Sequence, residues 1–311
     1  MEKQLLPKAE LKPAYEQAVW LYVFRDFSKS EDDRAAERIA LRFGLTSWPQ
    51  HLLVDPQTLR VIGNTGRSVK SFLPAVARAG KRVRPTRSPK AADDVQAADK
   101  RAIELEQRGT VSRATEALRD DDIVVRFRAL SIVAEKQPDV VSENASALLA
   151  VPNDPFRYEV CKVLAKTGNP EARPALETLV RNPKQSRNPN VLRINAVQAL
   201  AACGNADSVK VIAPHAASGE YLNGLTGISI DALARISKRD AQAGPGARDV
   251  LIRAFPNPPT KPTATQQRYC TSLAKRVHAA LQQLTGKKVD FPKIYDRAAQ
   301  QKLIQAFRTV R

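Results

Sequence analysis

The spacing of apolar and polar residues differs between residues 1–80 and the rest of the chain. In the first part, short apolar runs rich in β-branched and aromatic residues alternate with stretches of helical spacing. Ser30 and the acids after it mark one helix start, and Gly44 marks that helix's end. The predicted order is a helix over 7–17, a strand over 18–24, a helix over 32–43, hairpin strands over 51–55 and 59–63, and a helix over 68–79.

Beyond residue 100 the apolar positions repeat with a period of 36 residues. Each copy places them at i, i+4, i+5 and i+8, on one face of a helix. A short break and a second helix follow, so each copy predicts a helix pair. The aligned positions are Phe156, Val160, Cys161, Leu164, Ala165 and Gly168, then Leu192, Ala196, Val197, Leu200, Ala201 and Gly204, then Ile228, Ala232, Leu233, Ile236, Ser237 and Asp240.

This pattern resembles HEAT-type repeats of the armadillo-type fold over residues 101–286, with an earlier copy in 120–150 and a later one in 272–286. A single pair cannot bury its apolar face, whereas about four or five stacked pairs build one continuous core. The resemblance implies an α-solenoid with a protein partner on its surface. Residues 287–311 are predicted to be a basic C-terminal cap that docks through Leu303, Ile304 and Phe307.

Three arginines recur at one position of the copies, as a basic residue often does in HEAT-type repeats. Arg126, Arg157 and Arg193 are therefore candidate partner-binding residues. The alternative is that each arginine caps carbonyls of a neighbouring repeat or pairs with an acid between repeats. Residues 91–260 carry 22 basic and 21 acidic residues, and this near neutrality favours the structural alternative.

The stretch 44–56, GLTSWPQHLLVDP, has a proline after a short polar turn, followed by an apolar strand. This layout and the order of elements around it resemble the last three-quarters of a thioredoxin-like fold over residues 1–80. The resemblance places Trp48 and Pro49 in the family's cis-proline loop. The family's first strand and its C-x-x-C motif are lacking. The expected fold class is therefore α/β plus all-α, a partial thioredoxin-like fold followed by an α-solenoid.

The missing motif has two interpretations. In one, Met1 is an internal residue of a longer protein whose C-x-x-C lies upstream; in the other, a degenerate domain has lost its motif and persists as a packing module. No apolar run reaches the roughly 20 residues of a membrane span, and the first residues lack the apolar region of a signal peptide. As written, the chain is expected in the cytoplasm, and a signal peptide upstream of Met1 would direct export.

The net charge of +18 is concentrated in two segments. Residues 67–90 carry eight basic residues and no acid, and residues 261–311 carry eleven basic against two acidic residues. Residues 81–100 are predicted to be an extended basic linker that contains proline. This linker is either a patch for nucleic acid, acidic lipid or an acidic partner, or a solvated tether, and the lack of interleaved aromatics favours the tether. The candidate patch consists of Arg78, Lys81, Arg82, Arg84, Arg87 and Lys90.

Residues with catalytic or metal-binding chemistry are not clustered along the sequence. The three cysteines lie far apart without a C-x-x-C, which predicts small buried side chains. The three histidines lie on separate predicted elements, and no phosphate-binding glycine loop is present, so we expect no metal, cofactor or active site in this form.

Three functions remain as hypotheses. The first is a non-catalytic protein-binding scaffold that combines the thioredoxin-like module with the solenoid. The second is a fragment of a thiol-disulfide oxidoreductase whose C-x-x-C lies upstream of Met1. The third is binding of nucleic-acid backbones through segments 67–90 and 261–311, which requires affinity that falls steeply with salt.

Overall fold

The computed structural model describes residues 11–12, 30–46, 51–55, 58, 60–66, 68–81, 90–183, 186–218 and 224–309. The chain divides into two compact units, Met1–Ile132 and Val133–Arg311. The first unit contains α1 (Glu31–Arg42), β1 (Leu52–Val54), β2 (Val61–Asn64), α2 (Val69–Gly80), α3 (Lys90–Arg108) and α4 (Val111–Ala117). Helix α5 (Ile123–Lys136) begins in the first unit and ends in the second.

The helices and the hairpin predicted between residues 30 and 80 are confirmed. The Ser30 hydroxyl accepts a hydrogen bond from the Asp33 amide and caps α1, whose first turn is acidic. Strands β1 and β2 pair antiparallel, with Leu53 opposite Gly63 and an irregularity in the register after this pair. Leu11, Phe72 and Val76 form the buried core of this region, and Val69 and Leu73 pack against it partly buried, so α2 packs through one apolar face.

The thioredoxin-like fold is not confirmed. Among the described residues β1 and β2 are the only strands, and they form a two-stranded sheet. The predicted strand over 18–24 and most of the predicted helix over 7–17 lie outside the described residues. The observed order α1-β1-β2-α2 agrees with the later part of the prediction, but a hairpin followed by a helix is common to many folds.

Residues 90–100, predicted to be part of an extended linker, are helical and form the first half of α3. Ion pairs connect this helix to α1. The Arg42 guanidinium contacts Asp99 of α3 at 2.7 Å and Asp122, just before α5, at 3.3 Å. In addition, Arg128 of α5 contacts Glu37 of α1 at 3.0 Å. Because these contacts tie α1 to α3 and α5, the first unit extends to residue 132 and includes the first predicted repeat helices.

The second unit consists of helix pairs in two layers. Helices α8, α10, α12 and α14 pack in succession as one layer, and α7, α9, α11, α13 and α15 pack in the same way as the other. The apolar faces of the two helices in each pair are buried between the two layers. The result is a series of packed helix hairpins, consistent with an α-solenoid. The bounds are α6 Asp139–Glu143, α7 Ala145–Ala150, α8 Asp154–Thr167, α9 Arg173–Arg181, α10 Pro189–Cys203, α11 Ala206–Ala216, α12 Gly224–Arg239, α13 Ala243–Arg253, α14 Ala264–Thr285 and α15 Arg297–Arg308.

The predicted repeat frame coincides with the core at most positions. Phe156 of α8 and Leu192 of α10 are fully buried, as are most of the apolar positions aligned after them. The third copy differs at its first position, since Ile228 of α12 is half-buried while Ser229 and Ile230 are fully buried. At the start of α12 the buried positions are therefore not the one aligned with Phe156 and Leu192 but the two residues after it.

The helix ends use residues suited to capping. Asn153, Asn188 and Asn205 each accept a backbone hydrogen bond at the start of a helix. Gly168 ends α8 at φ 62° and Gly286 ends α14 at φ 67°, a left-handed conformation that favours glycine.

The last helix, α15, packs on α13 and α14, with Leu303 and Phe307 buried and Ile304 half-buried. The Tyr295 hydroxyl, also buried, donates to the Pro256 carbonyl at 2.8 Å and ties the segment before α15 to the end of α13. No helix within the described residues combines the length and the apolar character needed to cross a membrane.

Candidate partner-binding surfaces

The three recurring arginines each donate to a carbonyl near the C-terminal end of the preceding helix. The Arg157 guanidinium contacts the Ala150 carbonyl, the last of α7, at 3.3 Å. Arg193 contacts the Val180 carbonyl, in the last turn of α9, at 3.1 Å. Arg126 likewise contacts the Asp120 carbonyl, just beyond α4. The last carbonyls of a helix have no hydrogen-bond partners within the helix and carry a partial negative charge. A guanidinium can donate hydrogen bonds to them and compensate this charge.

Burial distinguishes Arg157 from the other two arginines. It is 3% exposed and lies 3.9 Å from the Asp154 carboxylate, which is also buried. Burial lowers the pKa of Arg157, while the neighbouring Asp154 opposes that shift. Arg126 and Arg193 are half-buried. These contacts are those of the structural alternative, in which the arginine joins one helix pair to the preceding helix.

The other candidate residues from the sequence are only partly described. Trp48 and Pro49 lie outside the described residues, as do Arg82, Arg84 and Arg87. Arg78 and Lys81 are exposed at the end of α2, and Lys90 is the first residue of α3. The cis-proline loop and the basic patch therefore stay predictions.

The three cysteines are buried and free, as the sequence predicts. Burial raises the pKa of the Cys161 thiol to about 12 and that of Cys203 to about 11, against the opposing effect of nearby arginines. Burial also raises the pKa of Cys270. A thiolate is the nucleophile in disulfide exchange, so these three side chains are unsuited to it at neutral pH. Among the described residues, no three His, Cys, Asp or Glu side chains are grouped to hold a metal ion.

Alkylation measures this thiol burial directly. We expect the folded chain to take up almost no iodoacetamide at neutral pH, because the three thiols are both protonated and inaccessible. In concentrated guanidinium chloride all three cysteines are expected to react, as mass spectrometry of the intact chain would show. Rapid alkylation of Cys161 in the folded chain would contradict its buried environment.

For the C-terminal segment, the sequence predicted an excess of positive charge but did not indicate which residues form a basic surface. In α14, Arg268, Lys275 and Arg276 are exposed, and the helix contains no acidic residue over its 22 positions. Sequence reasoning missed that Tyr269 of the same helix is also exposed. The absence of acidic residues in this stretch is visible in the sequence and indicates a basic helix. The exposure of Tyr269 is not visible there, because it depends on which face of α14 packs against α12 and α13.

Comparison with known proteins identifies repeats in the middle of the chain. A family model described as HEAT repeats matches residues 111–188, from the start of α4 to the residue before α10. Searches of curated proteins and of solved structures gave no significant match. Together with the packed helix hairpins, the match shows that the chain contains HEAT-like repeats.

Proposed function

We propose that the chain is a non-catalytic protein-binding scaffold whose helix pairs bind a protein partner. The HEAT-repeat match over residues 111–188 carries this proposal, because helical repeats of this kind bind macromolecules along extended surfaces. The same two-layer packing continues through α14. A layer of stacked helices offers a long surface with few loops, suited to an extended partner rather than to a small substrate.

The finer proposal is a solenoid over residues 101–286, closed by the cap at 287–311 and preceded by a thioredoxin-like module without redox chemistry. The hairpin, the core around Phe72 and the ion pairs of α1 support a module that packs on the first repeat helices. In this proposal Arg126, Arg157 and Arg193 hold successive helices in place and leave partner binding to exposed residues.

Site-specific photo-crosslinking in cells tests the proposal on the full chain. One set of photoreactive residues replaces the exposed Lys162, Gln198 and Arg235 of the layer containing α8, α10 and α12. A second set replaces Thr178 and Lys210 of the other layer, and Arg34 of α1 is the matched control. We expect a defined protein adduct from neighbouring positions of one layer, because the partner lies along one surface.

Two results would contradict the scaffold function. One is the absence of protein adducts from both layers. The other is an adduct from the Arg34 position alone, which would assign binding to the N-terminal module.

A further inference from the structure

The exposed face of α14 carries cations on two adjacent rows. Arg268 and Lys275 are seven residues apart, as are Tyr269 and Arg276, so each pair lies on the same side of the helix. All four side chains are exposed. The opposite face, with Cys270, Leu273, Ala274, Val277, His278, Ala280 and Leu281, is buried. The face therefore belongs to a helix that is firmly packed on its other side.

Residues 287–296, called the strap, run antiparallel along one side of α14. Near one end, the Gln282 amide donates to the Val289 carbonyl at 3.0 Å. Near the other end, the Gln267 amide donates to the Tyr295 carbonyl at 2.9 Å. Between them, the Phe291 ring lies edge-on to His278, 5.4 Å between centroids. These contacts hold the strap beside the exposed face over most of the helix length.

The strap adds both cations and apolar surface to this face. Lys288 and Lys293 are exposed, and Ile294 is 73% exposed. The described residues contain three exposed large hydrophobic side chains, and two of them, Tyr269 and Ile294, lie on α14 and the strap. The hydrogen bond from Gln267 to the Tyr295 carbonyl places the strap on the flank of α14 beside Arg268. Tyr269, two residues from Gln267 and about 200° around the helix, lies on the opposite flank of the exposed face. Ile294 therefore offers an apolar contact next to the exposed lysines of the strap.

Carboxylates compensate this surface only in part. Arg276 contacts Asp231 of α12 at 3.5 Å, and the two side chains remain about half exposed. Of the strap's acids, Asp290 is exposed, and Asp296 caps α15 by accepting from the Ala299 amide. In the described part of the chain, no carboxylate lies within ion-pair distance of Arg268, Lys275 or Lys293.

We propose that the exposed face of α14 and the strap bind an acidic polypeptide segment that carries an apolar residue. The carboxylates of the segment pair with Arg268, Lys275 and Lys293, and its apolar side chain packs on Ile294. Arginine is enriched at the centres of protein interfaces, where apolar contact adds to charge pairing. The proposal rests on the protein-binding function and assigns the partner's chemistry to one surface.

A nucleic acid fits this surface less well. Arg268 lies over the Tyr269 ring, 5.9 Å from its centroid, and so competes with a base for that face of the ring. In addition, an exposed isoleucine contributes nothing to the phosphate contacts that dominate nucleic-acid affinity. The test therefore includes a nucleic acid as a competing ligand.

Fluorescence anisotropy of the full chain with labelled probes tests the proposal. One probe is an acidic peptide of alternating Glu and Asp with a central Leu, the second replaces that Leu with Ser, and the third is oligo(dT) of the same charge. We expect the Leu peptide to bind most tightly. The triple variant Arg268→Gln/Lys275→Gln/Lys293→Gln should bind it about tenfold more weakly, because three exposed pairs are lost.

Two variants separate this surface from a general effect of charge. The variant Lys100→Gln/Arg113→Gln/Arg119→Gln removes three exposed cations from the first unit and should leave the affinity unchanged. Ile294→Ser should abolish the preference for the Leu peptide over the Ser peptide. All variants change exposed residues, and equal thermal unfolding curves verify that they fold.

Several results would overturn the proposal: equal losses in both triple variants, tighter binding of oligo(dT), or no preference for the Leu peptide. The photo-crosslinks from the repeat layers separate this failure from failure of the scaffold function. If only this surface is wrong, those adducts persist in the triple variant of α14 and the strap. If the scaffold function is wrong, no such adducts form in any variant.

Discussion

Replacing Leu192 with alanine is expected to lower the free energy of unfolding of the second unit by about 2–5 kcal/mol. Leu192 is fully buried in α10, which packs between α8 and α12. Truncation there removes apolar contacts and leaves a cavity that the neighbouring helices cannot fill without moving. Ile228→Ala, at the equivalent position of the next copy, should cost only about 1–2 kcal/mol, because Ile228 is half-buried.

Urea denaturation followed by circular dichroism measures both losses. Ile230→Ala is the matched control, since Ile230 lies on the same helix as Ile228 and is fully buried. It should cost as much as Leu192→Ala. Equal losses for Ile228→Ala and Ile230→Ala would show that the burial of α12 follows the repeat frame of the sequence instead of the shifted arrangement.

The second large effect is expected for Arg157→Ala, with a loss of about 3–5 kcal/mol. The substitution removes the donor to the Ala150 carbonyl and leaves the Asp154 carboxylate, 5% exposed, without its cation. A buried charge that loses its partner is costly because its desolvation is no longer compensated. Thermal or urea unfolding of the variant measures the loss.

Two further variants show which part of the Arg157 effect comes from the charge. Arg193→Ala removes a donor to the Val180 carbonyl but strands no carboxylate, since the second partner of Arg193 is Asn190. It should cost about 1 kcal/mol. The double variant Arg157→Ala/Asp154→Asn should regain stability relative to Arg157→Ala, because asparagine can still accept from Ser186 and Arg187. A double variant no more stable than Arg157→Ala would refute the stranded-charge explanation.

The recurring arginines show how a repeated residue can serve the packing of repeats. Each one reaches back to a carbonyl at the end of the preceding helix. A contact of this kind fixes the distance between one helix pair and the helix before it, which any stack of repeats needs. Recurrence at one position of a repeat is therefore weak evidence for partner binding unless the side chain is exposed.

The extent of the first unit could not be read from the sequence. Proline and positive charge over residues 81–100 favoured an extended connector. The structure instead has a helix from Lys90, held by the contact between Arg42 and Asp99. These residues are 57 positions apart, so no local pattern links them. Ion pairs at such a separation form only after the helices have packed.

The candidate binding surface was partly predictable. The charge excess of residues 261–311 and the acid-free run in α14 are visible in the sequence. The exposure of Ile294 is not, because the same residue type at Ile230 is fully buried. From the sequence alone, an isoleucine after a lysine in a short polar segment could be buried against the repeats or exposed to solvent. The hydrogen bonds of the strap to Gln267 and Gln282 decide which side chains remain outside.

The sequence by itself determined the helix pairs and most of the buried face of each first helix, because these depend on residues within a few turns of one another. The short-range pattern thus predicted Phe156, Leu192 and Leu200 as core. The tertiary structure alone decided the shift in α12, the burial of the charged Arg157 and the joining of α1 to α3 and α5. Each of these depends on packing between segments distant in the chain, where the free energy of burial and ion pairing is set by neighbours that no local period specifies.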